Sequence, residues 1–371
     1  MVRLAEEARE IGRHRIDEML DLIEQDPTQL EPRIFLNRLA RNTEHIEQAL
    51  TYMLQAAVHD PFNPRIHYEL GNLYMGLQDW SQARASIQRS LELEPIQPNS
   101  WVNLAIVSQQ AGEGLEYLQL FLKALEVDPV DHELPGIIAG FLYNLELVEE
   151  GDDFRDRVMA IAPTSEIAYR LELQRAIATD DKKAGIASAR RAIEDDVPGR
   201  QFAFGGAAQY LLRAAAANGT VAEETACLEQ HAPGILDFEA ESVPTKYRNA
   251  QISAFDAWYT VMDQDEINRR IDYFSDLAES IGFDLTENHD VMFGTLALQG
   301  RSEEAIEVAL EHLFSEPVIL NLGWEQTLEQ AQYAEIVEDP RVQAAMKRWQ
   351  DEEDALREEI RGWLADLQAA T

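Results

Sequence analysis

Prolines recur in this chain at a fixed interval. Pro27, Pro61, Pro95, Pro129 and Pro163 follow one another at steps of 34 residues. A fixed step of this length is typical of chains that stack one small helical unit many times, so that each unit packs only on its neighbours. The spacing therefore predicts an all-α fold, an α-solenoid of antiparallel helix pairs.

The repeated unit is clearest in residues 64–97. Leu70 and Tyr74 lie four residues apart, which places them on one face of a first helix. Ala83 and Ile87 have the same spacing and predict a second helix after a short turn. Small residues on the facing sides would let the two helices approach closely.

This pattern resembles the tetratricopeptide repeat. The positions where that family favours a small residue, an aromatic residue, an alanine and a final proline hold Gly71, Tyr74, Ala83 and Pro95. Residues 98–131 repeat the layout and add Trp101, where the family favours tryptophan. The resemblance implies a superhelical stack whose first helices line a concave groove, and a non-catalytic role in binding other proteins.

Copies of the repeat differ in clarity along the chain. Residues 30–63 and 132–165 match less well, and in the latter Gly151 replaces the favoured alanine, which predicts looser helix pairing. After Pro163 the pattern drifts, and it returns near the C-terminus. The predicted organisation is an N-terminal helix or cap, a regular repeat array, degenerate helical repeats, one further repeat, and a linker with a capping helix, over residues 1–29, 30–165, 166–285, 286–319 and 320–371.

The last segment carries an apolar stripe with heptad spacing. Its members are Val342, Met346, Trp349, Leu356, Ile360, Trp363 and Leu367. A long C-terminal capping helix over the last repeat is favoured, because a solenoid must cover its terminal apolar face. A coiled-coil homodimer through the same stripe is the alternative.

Composition limits the classes of partner. The formal net charge is −37 and the chain has five lysines, which argues against nucleic acid, since the phosphate backbone is held by clustered Lys and Arg. The single cysteine excludes an internal disulfide. No apolar run has the length of a membrane span, so we expect a cytoplasmic protein without membrane insertion.

Sequence motifs for chemistry are missing. The chain has no phosphate-binding glycine–lysine loop, dinucleotide fingerprint, nucleophile elbow or paired-cysteine motif. Its eight histidines are scattered, with no two spaced three or four apart as a compact metal site on one helix requires. We therefore expect no enzyme, no catalytic residues, no metal and no cofactor.

Polar side chains fill the first-helix positions that point away from the core in such a stack. They are Arg38, Arg41, Asn42, Arg65, Tyr68, Asn72, Asn99, Asn103, Gln109 and Gln110. Amides donate and accept, so they can pair with the main chain of an extended peptide, and an arginine can hold a carboxylate. These residues are the predicted partner-binding site, and a solvated surface without function explains the same composition.

The resemblance also bears on which peptides could bind. Asn72 and Asn103 match the two asparagines of the clamp with which some family members hold chaperone tails. Tyr68, Glu133 and Ile137 stand where that clamp has basic residues, so we reject it and keep a generic peptide groove.

The leading hypothesis is thus an adaptor that holds a protein or peptide segment along its concave face. A second hypothesis is a regulatory or sensory module of a larger bacterial system, because the tail resembles the closing repeat of bacterial regulators. The residues that carry that resemblance are Gly323, Trp324, Asp339, Pro340 and Arg341. A third, less favoured, hypothesis is an enzyme with a site in residues 166–285.

Overall fold

A computed structural model provides the structure of the chain. It describes residues 2–26, 29–40, 45–195, 201–231, 233, 263–280, 289–322, 328 and 331–370. The chain forms two compact units, Met1–Val130 and Asp131–Thr371. The division falls inside the segment that the sequence treats as one regular array.

All regular structure in the described residues is helical, which confirms the predicted fold class. The first unit contains α1 (Val2–Gln25), α2 (Glu31–Ala40), α3 (Ile46–His59), α4 (Pro64–Gly76), α5 (Trp80–Leu93), α6 (Pro98–Gln110) and α7 (Gly114–Val127). The second unit begins with α8 (Glu133–Asn144), α9 (Val148–Ile161), α10 (Glu166–Ala178), α11 (Lys182–Glu194), α12 (Gln201–Asn218) and α13 (Val221–His231). It continues with α14 (Gln264–Ser280), α15 (His289–Leu298), α16 (Ser302–Val308), which runs into a π-helical turn (Ala309–Leu313), α17 (Ala334–Val337) and α18 (Pro340–Ala370).

Turns inside the helix pairs repeat with the period of the sequence. A residue with a left-handed backbone ends the first helix of four successive pairs, at Gln78, Gly112, Glu146 and Asp180, with φ of 57°, 78°, 56° and 49°. In the first of these turns the Asp79 N–H donates to the carbonyl of Tyr74 at 2.9 Å, the pattern of a Schellman motif. The Asp79 carboxylate then caps the second helix by accepting the N–H of Gln82 at 3.1 Å.

Close packing between paired helices depends on glycines, which have no Cβ. A Cβ on Gly71 would lie 2.4 Å from Cγ1 of the buried Ile87, so the pair α4–α5 has no space for it. At Gly151 the space is filled by the ring of Tyr143, whose Cε1 would lie 2.7 Å from an added Cβ. Pairing at Gly151 is therefore tight, which differs from the looser pairing that the sequence predicts.

The long helix α18 covers the apolar core of the second unit's last repeat. Val342 and Trp349 belong to one buried cluster with Phe293 and Phe314, and the Trp349 and Phe314 rings meet edge to face at 4.7 Å. This packing is what a capping helix requires. The homodimer stays a prediction.

The far half of α18 is also buried within the chain, with a shift in the predicted stripe. Leu356 and Ile360 are buried as expected, but Leu364 is buried in place of Leu367, which is 46% exposed. Met346 and Trp363 are half-buried. Between these apolar residues, Arg357 Nε donates to the carbonyl of Leu145 at 2.7 Å, which ties α18 to the turn between α8 and α9.

Candidate partner-binding site

The first helices of successive pairs in the first unit are neighbours: α2 contacts α4, and α4 contacts α6. We call their solvent-facing side the first-helix face. Arg38, Arg65 and Asn99 are exposed on it, and Tyr68, Asn103, Gln109 and Gln110 are half-exposed. Arg41 and Asn42 lie outside the described residues. The face is accessible, and its composition differs from the acidic average of the chain.

Arg65 is engaged by a neighbour on the same face. Its NH1 and NH2 lie 2.5 and 3.3 Å from the two carboxylate oxygens of Glu31 on α2. Both side chains are largely exposed, 46% and 74%. An exposed ion pair contributes at most about 1 kcal/mol, so a partner carboxylate can compete for Arg65.

Asn72 does not lie where the repeat template puts it. It is only 4% exposed, and its Oδ1 accepts a hydrogen bond of 2.6 Å from Asn103 Nδ2. The pair joins α4 to α6 across neighbouring repeats. Asn103 is therefore the more accessible of the two side chains, and Asn72 holds its amide in place.

A second buried polar pair joins α2 to α4, and sequence reasoning missed it. Asn37 is fully buried and Glu69 nearly so. The Asn37 Nδ2 donates to the Glu69 carbonyl at 3.2 Å and also to its carboxylate. With Asn72 and Asn103 these residues form a row that we call the amide ladder. No pattern in a single repeat indicates it, because both pairs cross from one repeat to the next.

Arg33 is another buried polar side chain of this unit. Its Nε and NH1 donate to the carbonyls of Tyr52 and Gln29 at 3.1 and 2.8 Å. Burial lowers the pKa of Arg33 below its ordinary value. Because its donors bind main-chain oxygens inside the unit, Arg33 stabilises the fold and is not presented to a partner.

In the second unit a cluster of polar side chains surrounds Asp152. Its carboxylate accepts hydrogen bonds from Tyr143 Oη at 2.6 Å and from Arg175 Nε at 2.7 Å, and Arg155 NH1 lies 3.2 Å away. Burial by itself raises the pKa of Asp152, but the bonds from Arg175 and Tyr143 outweigh it and hold the pKa below its usual value. The cluster ties α8, α9 and α10 together.

A cleft of about 300 Å³ lies beside this cluster, among α9, α10 and α11. Arg155, Arg175 and Glu172 line it, and each has a partner of opposite charge. Glu172 pairs with Arg191, Arg175 pairs with Asp152, and Arg155 pairs with both Asp152 and Asp156. The cleft thus offers no uncompensated charge to a ligand.

Two histidines that are far apart in the sequence meet in the last repeat. The rings of His289 and His312 stack at 3.5 Å with an angle of 8° between their planes. In the part of the chain that the structure describes, no group of three or more metal-ligating side chains comes together. Likewise, none of the described helices combines the length and the apolar character that crossing a bilayer requires.

The tail motif is partly described. Gly323 and Trp324 lie outside the described residues. Asp339 directly precedes α18, and Pro340 and Arg341 are its first two residues. The Asp339 carboxylate accepts the Arg341 N–H at 2.7 Å, and the Arg341 guanidinium pairs with Asp339, Glu303 and Glu307. These contacts explain the motif as a helix start, and its regulatory role stays a prediction.

Comparison with known proteins identifies the repeat. Residues 64–96 match the family model described as the tetratricopeptide repeat. The chain contains a tetratricopeptide repeat. Tetratricopeptide repeats generally mediate protein–protein interaction. The match falls on the unit that the sequence pattern marks most clearly.

One curated relative is the tetratricopeptide repeat-containing protein trd-1 of Caenorhabditis elegans, which is 30% identical over 111 residues. The alignment covers 30% of this chain and 14% of that protein, so the chain spans about one seventh of the length of that relative.

Similar solved structures include YrrB, described as a TPR protein with an unusual peptide-binding site, at 18% identity and a TM-score of 0.39. That alignment covers 51% of this chain and 96% of YrrB. The Cut9–Hcn1 hetero-tetramer of APC/C matches at 10% identity and a TM-score of 0.46, over 78% of this chain and 50% of that one. PilF of Pseudomonas aeruginosa matches at 15% identity and a TM-score of 0.41, over 51% of this chain and 86% of PilF.

Proposed function

We propose that this chain is a non-catalytic protein-interaction scaffold, and that the first-helix face of its first unit holds an extended segment of a partner protein. The observation that carries the proposal is the combination of an accessible amide-rich face with the amide ladder, of which Asn37, Glu69 and Asn72 are buried beneath that face. The face supplies the contacts, and the ladder fixes the spacing of the helices that present them.

The chemistry of the face suits a main-chain ligand. Asn99, Gln109 and Gln110 have side chains that both donate and accept, so they can bind peptide N–H and C=O groups whatever the partner's sequence. Arg38 and Arg65 add two cations, which suit a carboxylate on the partner. In a chain of net charge −37 these arginines set the orientation of the segment.

Rigidity of the face supports the same proposal. The Asn37–Glu69 pair links α2 to α4, and the Asn72–Asn103 pair links α4 to α6. Buried polar pairs of this kind fix one register between neighbouring elements, since a slipped register leaves donors unpaired. A pre-organised face loses less entropy when it orders a peptide.

The experiment begins with affinity purification of partners from the native cell extract, followed by calorimetric titration with the purified partner. The test variant replaces Arg38, Asn99 and Gln110 by alanine, and the matched control replaces Arg361, Gln82 and Gln343, which are exposed elsewhere. We expect the test variant to bind at least about tenfold more weakly, a loss of about 1.4 kcal/mol, and the control to bind as the wild type does.

Equal affinity of the test and control variants for the partner would contradict the proposal. It would mean that the interface lies outside the first-helix face. Unchanged melting temperatures, measured by circular dichroism, show that weakened binding is not a folding defect. This control is available because none of the six replaced side chains is buried.

A further inference from the structure

A row of exposed apolar side chains follows the loops that end the second helices of the first unit. The side chains are Phe62, Ile96 and Val130, which are 71%, 72% and 77% exposed. Each directly follows one of the periodic prolines, so the three stand 34 residues apart, at the same place in successive repeats. Single exposed apolar residues are common on protein surfaces, but repetition in register on neighbouring loops is not.

The loops before Phe62 and Ile96 are each fixed by a bond to the helix that follows. The carbonyl of Pro61 lies 2.9 Å from His67 Nε2, and the carbonyl of Pro95 accepts the indole N–H of Trp101 at 2.9 Å. His67 and Trp101 occupy the same position in two repeats, so the same bond fixes the loop twice. Phe62 and Ile96 are therefore carried by loops that are fixed in the same way.

A row of carboxylates accompanies the apolar row. Asp60, Glu94 and Asp128 each precede an apolar residue by two positions. Asp60 and Glu94 accept bonds from neutral amides, those of Asn63 at 3.0 Å and Gln97 at 2.8 Å. In the described part of the chain, none of the three carboxylates has an ion-pair partner.

Two cations on the second helices α5 and α7 pair with carboxylates outside this row. Arg89 pairs with Glu92 at 2.8 Å, and Lys123 pairs with Glu126 at 2.7 Å, again at the same place in two repeats. Neither cation pairs with Asp60, Glu94 or Asp128. Arg89 also shows what the apolar row can accept, because its guanidinium carbon lies 5.9 Å from the centre of the Phe62 ring.

We infer that this surface, which we call the loop ridge, is a second docking surface, and that its occupant is a basic partner segment in which apolar side chains alternate with lysine or arginine. The apolar residues of the segment cover Phe62, Ile96 and Val130, and its cations meet Asp60, Glu94 and Asp128. A second copy of this acidic chain would bring like charges together at the ridge. The loop ridge does not include the first-helix face, so the two sites can be occupied by different segments.

The test measures fluorescence anisotropy of short labelled synthetic peptides in which leucine alternates with lysine at several spacings. Sister peptides replace every lysine by glutamate, or every leucine by serine. The protein is the full chain, either wild type or with one of two ridge triplets replaced. The apolar triplet is Phe62→Ser, Ile96→Ser and Val130→Ser, and the carboxylate triplet is Asp60→Asn, Glu94→Gln and Asp128→Asn.

Matched control variants separate docking from general attraction to an acidic protein. Leu22→Ser, Ile161→Ser and Leu367→Ser remove three other exposed apolar side chains. Glu149→Gln, Asp153→Asn and Glu359→Gln remove three exposed carboxylates away from the ridge, which changes the net charge by the same amount.

We expect at least one leucine–lysine peptide to bind the wild type saturably, with about tenfold weaker binding to either ridge triplet and unchanged binding to both controls. The glutamate and serine sister peptides should not bind. The inference is overturned if no peptide of the panel binds, if ridge and control variants bind alike, or if the serine peptide binds as well as its leucine parent. Variants of the first-helix face should bind these peptides as the wild type does. If the loop ridge binds no peptide, the proposal for the first-helix face is therefore unaffected.

Discussion

Restoring the family's favoured alanine at Gly151 should destabilise the second unit. Repeat consensus alone predicts the reverse, because alanine is better than glycine inside a helix by about 1 kcal/mol. The structure puts the ring of Tyr143 in that space, with Cε1 and Cδ1 at 2.7 and 2.8 Å from an added Cβ. Tyr143 is 2% exposed and its hydroxyl is bonded to Asp152, so the ring cannot move away cheaply.

The magnitude follows from two opposing effects. Overpacking a tight core costs about 1–3 kcal/mol, and the gain in helix propensity offsets about 1 kcal/mol of that cost. Gly151→Ala should therefore lower the free energy of unfolding by up to about 2 kcal/mol. Gly206→Ala, in helix α12 of the same unit, meets no atom of the described residues within 4 Å and should raise the free energy of unfolding by about 0.5–1 kcal/mol.

Urea unfolding followed by far-ultraviolet circular dichroism measures both variants. A double variant tests whether the Tyr143 ring causes the loss. In the Tyr143→Leu background the ring is absent, so adding Gly151→Ala should leave the free energy of unfolding unchanged or raise it. If Gly151→Ala stabilises the otherwise unchanged chain as much as Gly206→Ala does, the packing argument is refuted.

Two further substitutions test other contacts. Asp152→Asn removes the carboxylate that Arg175 binds, and should cost about 1–3 kcal/mol at neutral pH in urea unfolding. Because the pKa of Asp152 is lowered in the folded state, its stabilisation is present above the unfolded value of about 4 and is lost as pH falls through the lower folded value, so the stability of the variant should depend less on pH there. Gly112→Ala puts a side chain at φ +78° and should cost about 1 kcal/mol, measured by the same unfolding assay; a neutral effect would contradict the left-handed turn.

The regular part of the fold was predictable because one period controls several features at once. The 34-residue step fixes the lengths of the helices. It also fixes the positions of the turns, since Gln78 and Gly112, 34 residues apart, adopt the same left-handed backbone. Within residues 64–97, Leu70 and Ile87 are buried as the pattern predicts.

Contacts between repeats were not predictable from a template of one repeat. The template assigns Asn72 to the solvent, but a hydrogen bond from the next repeat, at Asn103, accompanies its burial. In the same way, the template of one repeat predicts an unfilled space where Gly151 lacks the methyl group of alanine. The ring of Tyr143 fills that space.

The C-terminal stripe shows a geometric limit of heptad reasoning. A straight helix has 3.6 residues per turn, so a strict seven-residue pattern drifts around it by about 20° per heptad. Val342 and Trp349 lie on the buried face, but by the end of α18 that face has moved to Ile360 and Leu364. Leu367 is left at the surface for this reason.

Site-specific photo-crosslinking of the partner tests the central claim most directly. A photoreactive amino acid replaces Tyr68 on the first-helix face, or Ala85 on the exposed side of the second helix α5 as the control. The account predicts that the copurified partner crosslinks at position 68 through one contiguous segment and does not crosslink at position 85. Crosslinking at 85 without crosslinking at 68 would contradict a partner segment held along the first helices.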